Sequence, residues 1–183
     1  MHRIAEAGQP RGATMNFIAR ADGTLDIGGR LVRCALGPKG VVPAAAKREG
    51  DGATPAGVWP IRRVLYRPDR GAPLNTAISA TALTPDDGWC DAPDDPAYNR
   101  QVLLPYAASA ETLWREDKAY DLIVVLGHND DPVVPGAGSA IFLHVAKAVY
   151  PPTQGCVTVA RPDLEALLAA ARPGDAVEVV ASG

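Results

Sequence analysis

The chain has 183 residues, 47% of them hydrophobic and 21% charged, with a formal charge of −3. That is enough for one domain with its own core and too little for two. The lack of a basic excess argues against nucleic acid as a partner, and no run approaches the ~20 apolar residues of a membrane span.

Residues 1–14 are polar and glycine-containing and are expected to form a flexible N-terminal arm. They hold no apolar h-region, so no signal peptide is visible. Residues 15–181 are expected to form one domain. The stretches MNFIAR and TLDIGGRLVRCAL predict strands, the latter as a hairpin turning at Gly28-Gly29. Residues 37–54 read as a loop in which Lys47, Arg48 and Glu49 form a solvated charge run. GVWPIRRVLY is a strand, and NTAISATAL holds a short one. TPDDGWCDAPDDPAYNR, dense in Asp, Pro and Gly, predicts an insertion loop whose Trp89, Tyr98 and Asn99 either wall a cleft or anchor the loop on a sheet.

ETLWRED predicts one or two helical turns, and DLIVVLG a buried central strand. The polar cluster that follows the strand makes His128 and Asn129 candidate substrate-binding residues, with turn closure as the alternative. Asp163–Ala171 is the clearest helix, with Pro162 suited to its first position, an apolar stripe of Leu164, Leu167, Leu168 and Ala171, and a stop at Pro173-Gly174. AVEVV closes the chain as a strand. With 18 glycines and 17 prolines, this order of elements predicts a mainly β fold, a sandwich or barrel with one or two short helices.

Cys34, Cys90 and Cys156 have no C-x-x-C spacing and no histidine cluster, so a structural zinc site is not expected. Cys34 reads as core, and Cys90 as a loop cysteine open to solvent. Cys156 has a different setting. Alternation in SAIFLHVA places His144 on the face opposite Ile141, Leu143 and Val145, and the same parity in GCVTVA turns Cys156 and Thr158 away from Val157 and Val159. The two prolines of AKAVYPPTQ make a loop that can bring both strands together. An imidazole within reach of a thiol can take its proton and return it to a leaving amine. Gly155 allows a sharp turn and close approach of a substrate carbonyl to the main-chain N–H groups around Cys156.

TQGCV with an upstream strand histidine, DGATPAGVW at 51–59 and GHNDDPVVPGAGSAIFLH at 127–144 together resemble the L,D-transpeptidase (YkuD-type) catalytic domain. Gln154 stands where that family usually has a second histidine, and Thr158 where it has Arg or Asn. The resemblance implies acyl transfer on peptidoglycan stem peptides through a Cys156 acyl-enzyme, with His144 as general base and acid and Gly155 beside them. It implies Thr153, Gln154 and Thr158 as substrate contacts, no metal or organic cofactor, and susceptibility to carbapenem-type inhibitors. A cell-envelope or periplasmic location is expected from that function. A thiol hydrolase or L,D-carboxypeptidase on the same scaffold, and a non-catalytic cell-wall binding domain, remain alternatives.

Overall fold

A computed structural model of the chain describes residues 13–71 and 74–181. The expected N-terminal arm therefore lies outside the described residues except for its last two positions. The chain starts with β1 (Asn16–Arg20), β2 (Thr24–Asp26) and β3 (Leu31–Ala35). The last two form the expected hairpin, Leu25 opposite Val32 and Asp26 opposite Leu31. Gly28 and Gly29, at φ 72° and 93°, make the turn in the left-handed region that a residue with a Cβ avoids.

The long strand β5 (Thr54–Tyr66) joins the two ends of the sheet. Gly57–Pro60 pair with β13 (Ala176–Val180), and Ile61–Tyr66 with β10 (Leu122–Leu126). From β10 the order runs through β11 (Phe142–Val145), β12 (Val157–Val159), β3, β2, β1 and β13 to β5, which pairs back to β10. The mainly β expectation therefore resolves as a closed barrel, which leaves no open edge along that circuit. β4 (Val41–Pro43) and β6 (Ala80–Ala82) run parallel to the two ends of β5. Residues such as Phe17, Leu25, Val64, Leu122, Val124, Leu143 and Val157 form one aliphatic core. The helix α1 (Arg161–Ala170) adds Leu164, Leu167 and Leu168 to it, as its apolar stripe predicts. α1 begins two residues before the expected span, so Pro162 is its second residue, still within the turn whose N–H groups need no helical acceptor.

Three expectations are corrected on the other side of the barrel wall. The predicted insertion loop contains β7 (Asp87–Cys90), the middle strand of a small sheet with β8 (Gln101–Leu103) and β9 (Ala110–Thr112). ETLWRED is not helical: Ala110, Glu111 and Thr112 pair with Cys90, Trp89 and Gly88, and the Arg67 guanidinium lies 3.6 Å over the Trp114 ring. Strand pairing and that stack override the local helix preference. Cys90 is fully buried in β7 rather than open to solvent, and burial raises its thiol pKa. Trp89 is an anchor, not a lid. Its ring stands edge-on to Phe142 at 5.0 Å inside a second cluster with Leu65, Leu113, Tyr120 and Ile123.

Candidate active site

β11 and β12 are parallel neighbours, with Leu143 opposite Val157, His144 opposite Thr158 and Val145 opposite Val159. Leu143, Val145, Val157 and Val159 enter the aliphatic core. His144, Thr158 and Cys156 line a cavity of about 640 Å³ on the other face, as the alternation predicts. The connection between the strands carries Val149 and Tyr150 at φ 62° and 54°, with the Arg33 guanidinium 4.5 Å over the Tyr150 ring.

Thr153 fastens the turn before the cysteine. Its hydroxyl donates to the Cys156 carbonyl at 2.6 Å and accepts the Gly155 N–H at 3.1 Å. That N–H is thereby committed to the turn. Gly155 sits at φ 131°, and a Cβ there would lie 2.7 Å from the Ala53 carbonyl oxygen, so only glycine fits. Ala53 belongs to the DGATPAGVW stretch, which is itself tied down by Asp51. The Asp51 carboxylate accepts from Ala53 N at 2.9 Å, from Arg48 N at 2.8 Å and from the Lys47 ammonium. Burial pushes the Asp51 pKa up, but these donors outweigh it and the net shift is downward. Lys47, expected in a solvated charge run, is only 2% exposed. Its aliphatic stem packs at Gly138, where a Cβ would lie 3.1 Å from Lys47 Cγ.

His144 Nδ1 lies 3.1 Å from the Val145 carbonyl and 3.2 Å from that of Ala119. Two acceptors at one ring nitrogen fix the neutral tautomer with its proton on Nδ1 and the lone pair on Nε2. The Tyr120 ring stands edge-on to the imidazole at 4.9 Å, and its hydroxyl donates to Glu111 Oε1 at 2.7 Å. Burial pulls the His144 pKa down to about 4, against the two carbonyls that favour the cation. The Cys156 thiol donates to the Ala140 carbonyl at 3.1 Å and accepts the Phe142 N–H at 3.5 Å. Burial, reinforced by the Glu111 charge, pushes its pKa up to about 12. The resting pair is thus a neutral thiol and a neutral imidazole, not a thiolate–imidazolium pair.

The cavity brings together five sequence candidates, Cys156, His144, Thr153, Gln154 and Thr158. It does not include His128 or Asn129. His128 is buried, edge-on to Trp59 at 4.8 Å, with Nε2 3.0 Å from the Ala137 carbonyl. Asn129 folds the loop 129–138, donating to the carbonyls of Val134 and Gly138 and accepting the Val134 N–H. Sequence reasoning missed the charged groups on the cavity wall: Glu49, Asp91 and Glu111, and the cations Arg115 and Lys147. Arg115 and Lys147 both contact Asp117, at 2.5 and 2.8 Å. No local pattern marks them, because they arrive from four separate segments. Among the described residues no group of three or more His, Cys, Asp or Glu side chains is placed to hold a metal ion.

A family model described as the L,D-transpeptidase catalytic domain, YkuD, matches residues 16–179. No curated protein and no solved structure matches the chain.

Proposed function

Because the chain belongs to the YkuD family of L,D-transpeptidase catalytic domains, which act on the cell wall, we propose that it cross-links peptidoglycan stem peptides by acyl transfer through Cys156, with His144 as base. The observation that carries this reading is the pair of carbonyls at His144 Nδ1. They leave Nε2 as the basic nitrogen of a ring that shares its cavity with the Cys156 sulfur.

As the sulfur attacks a stem-peptide carbonyl, the thiol proton passes to His144 Nε2. The tetrahedral adduct then collapses, the peptide C–N bond breaks, and the imidazolium returns the proton to the departing amine. The acyl group remains on Cys156 as a thioester. A side-chain amine of a second stem attacks that thioester, its proton travels through His144 to the sulfur, and the C–S bond breaks. An amide cross-link and the free thiol result. Since both groups start neutral, proton transfer accompanies attack, and no thiolate accumulates beforehand. Gly155 serves by lacking a Cβ, which seats the nucleophile's turn on Ala53. Thr153, Gln154 and Thr158 line the cavity on either side of Cys156 in sequence and contact the substrate there, and a cell-envelope site of action goes with this substrate.

Intact-mass measurement after incubation with a carbapenem tests the reading. The parent protein is expected to gain the mass of one inhibitor, and Cys156→Ala none. A parent protein that gains no mass overturns it.

A further inference from the structure

Asn99 lies outside the cavity, yet it is bound to both ends of the loop that leads to the nucleophile's hydrogen-bond partner. It is 3% exposed, and its side chain makes four hydrogen bonds. Its Oδ1 accepts the Ala140 N–H at 3.1 Å and the Trp89 Nε1–H at 3.0 Å. Its Nδ2 donates to the carbonyls of His128 at 3.0 Å and Asn129 at 2.7 Å. One buried amide thus spans the exit of β10 and the entry to β11, from a segment between β7 and β8.

Ala140 is the residue that depends on it. It stands at φ 52°, a left-handed conformation that an alanine adopts only when its surroundings impose it. Its carbonyl accepts the Cys156 thiol at 3.1 Å. Neighbouring contacts hold the same loop: Gly138 N donates to the Tyr98 hydroxyl at 3.1 Å, and that hydroxyl donates to Glu49. Asn99, however, is the group that receives the Ala140 N–H itself.

We propose that Asn99 is a positioning residue for the nucleophile: by holding Ala140 in its left-handed conformation it aims a carbonyl at the Cys156 thiol, which fixes the sulfur and holds its proton until His144 takes it. This rests on the acyl-transfer reading for its catalytic consequence, though not for its effect on the thiol. A carbonyl that accepts from S–H stabilises the neutral thiol, because it can offer nothing to a thiolate. Releasing it makes ionisation easier and places the sulfur less well for attack. The two effects are opposite in sign, and simple loosening of the fold does not produce that combination at one cysteine.

The experiment compares Asn99→Ala with the parent by carbapenem acylation and by iodoacetamide alkylation, reading Cys34, Cys90 and Cys156 separately by peptide mass. Acylation is expected to slow by ~10-fold or more, as misplacement of a reacting group by a fraction of an ångström does. Alkylation of Cys156 at pH 8 is expected to quicken while that of Cys34 and Cys90 stays as in the parent. Unchanged acylation, or alkylation that rises at all three cysteines together, overturns the proposal. Asn99→Asp separates the two ends of the side chain and carries the test should Asn99→Ala fail to fold. Buried against the His128 and Asn129 carbonyls, its carboxyl is held protonated; it keeps an oxygen for the Ala140 N–H and one O–H donor in place of the two amide donors, so acylation within about threefold of the parent is expected. A loss of tenfold or more in that variant assigns the effect to the His128–Asn129 end and overturns the proposal. If the parent itself takes up no carbapenem, the acyl-transfer reading fails, and the alkylation comparison still decides whether Asn99 governs the thiol.

Discussion

The two faces of the β11–β12 pair differ in what burial does for them. On one face Leu143, Val145, Val157 and Val159 are at most 9% exposed and are stabilised by leaving water. On the other, His144, Cys156 and Thr158 are also nearly inaccessible, at 8%, 8% and 3%, but there burial acts on ionisation. It removes the charge from the imidazole and keeps the proton on the thiol. Cys34 sharpens the contrast. Its thiol, inside the aliphatic core, is pushed up to about 12 by burial as well. What separates Cys156 from Cys34 is therefore not acidity but a tautomer-fixed base in the same cavity and a carbonyl that holds the proton. On the proposed function, reactivity at this site would belong to the arrangement of groups, not to the pKa of the sulfur.

The largest effect should come from exchanging the two cysteines' fates. Cys156→Ala should abolish covalent capture of a carbapenem, while Cys34→Ala should retain it fully, despite the equal shift in the two thiols; capture that survives in Cys156→Ala removes the distinction. Cys156→Ser should slow acylation by at least ~10²-fold in a stopped-flow assay, since a hydroxyl relies still more heavily on the base. The fold should survive, because this side chain faces the cavity.

The aliphatic face should fail differently. Leu143→Ala, at a fully buried position, should cost about 2–5 kcal/mol in denaturant unfolding, and the fraction that stays folded should still be acylated at close to the parent rate. A mutant that is stable yet inert would show that the two faces are not separable.

pH tests the ionisation half of the contrast. The folded His144 pKa, about 4, lies below its unfolded value near 6.5, so between these limits the unfolded chain binds the extra proton. The stability contributed by the neutral ring is full above pH 6.5 and is lost as pH falls through about 4. Thermal midpoints should rise over that window, and His144→Gln should flatten the rise. The acid limb of the acylation rate should likewise lie near pH 4; a limb near 6.5 would mean the ring is hydrated and the burial argument wrong. The smallest effect belongs to Gln154, which is exposed on the cavity rim. Gln154→Ala should raise KM by about 2–5-fold at unchanged kcat, as loss of uniform binding does.

Period-two alternation made β11 and β12 legible, because a histidine opposite Ile, Leu and Val has one face left to occupy. The hairpin, β10 and α1 were legible for the same kind of reason: each is specified by residues adjacent in sequence. The small sheet was not. Glu111 and Trp89 pair across more than twenty residues rich in turns, and nothing in ETLWRED announces a strand partner. The burial of Lys47 was equally hidden, since the room for its stem is left by Gly138, a residue distant in sequence. The candidate site was read through His144 and Cys156 and missed through the main-chain carbonyls of Ala140 and Ala119, while Asn99, expected to wall a cleft or anchor a loop, acts by its buried side-chain amide.

The connection between β11 and β12 has a consequence for how the molecule can be cut and rebuilt. Each strand is secured by a different neighbour, β11 by β10 and β12 by β3, and between them Val149 is 85% exposed. His144 and Cys156 are thus joined by the connecting loop but not held by it. A nick at that loop, or a sequence spliced into it, would leave each half seated in the barrel, which makes this the natural point at which to divide the protein into two complementing fragments.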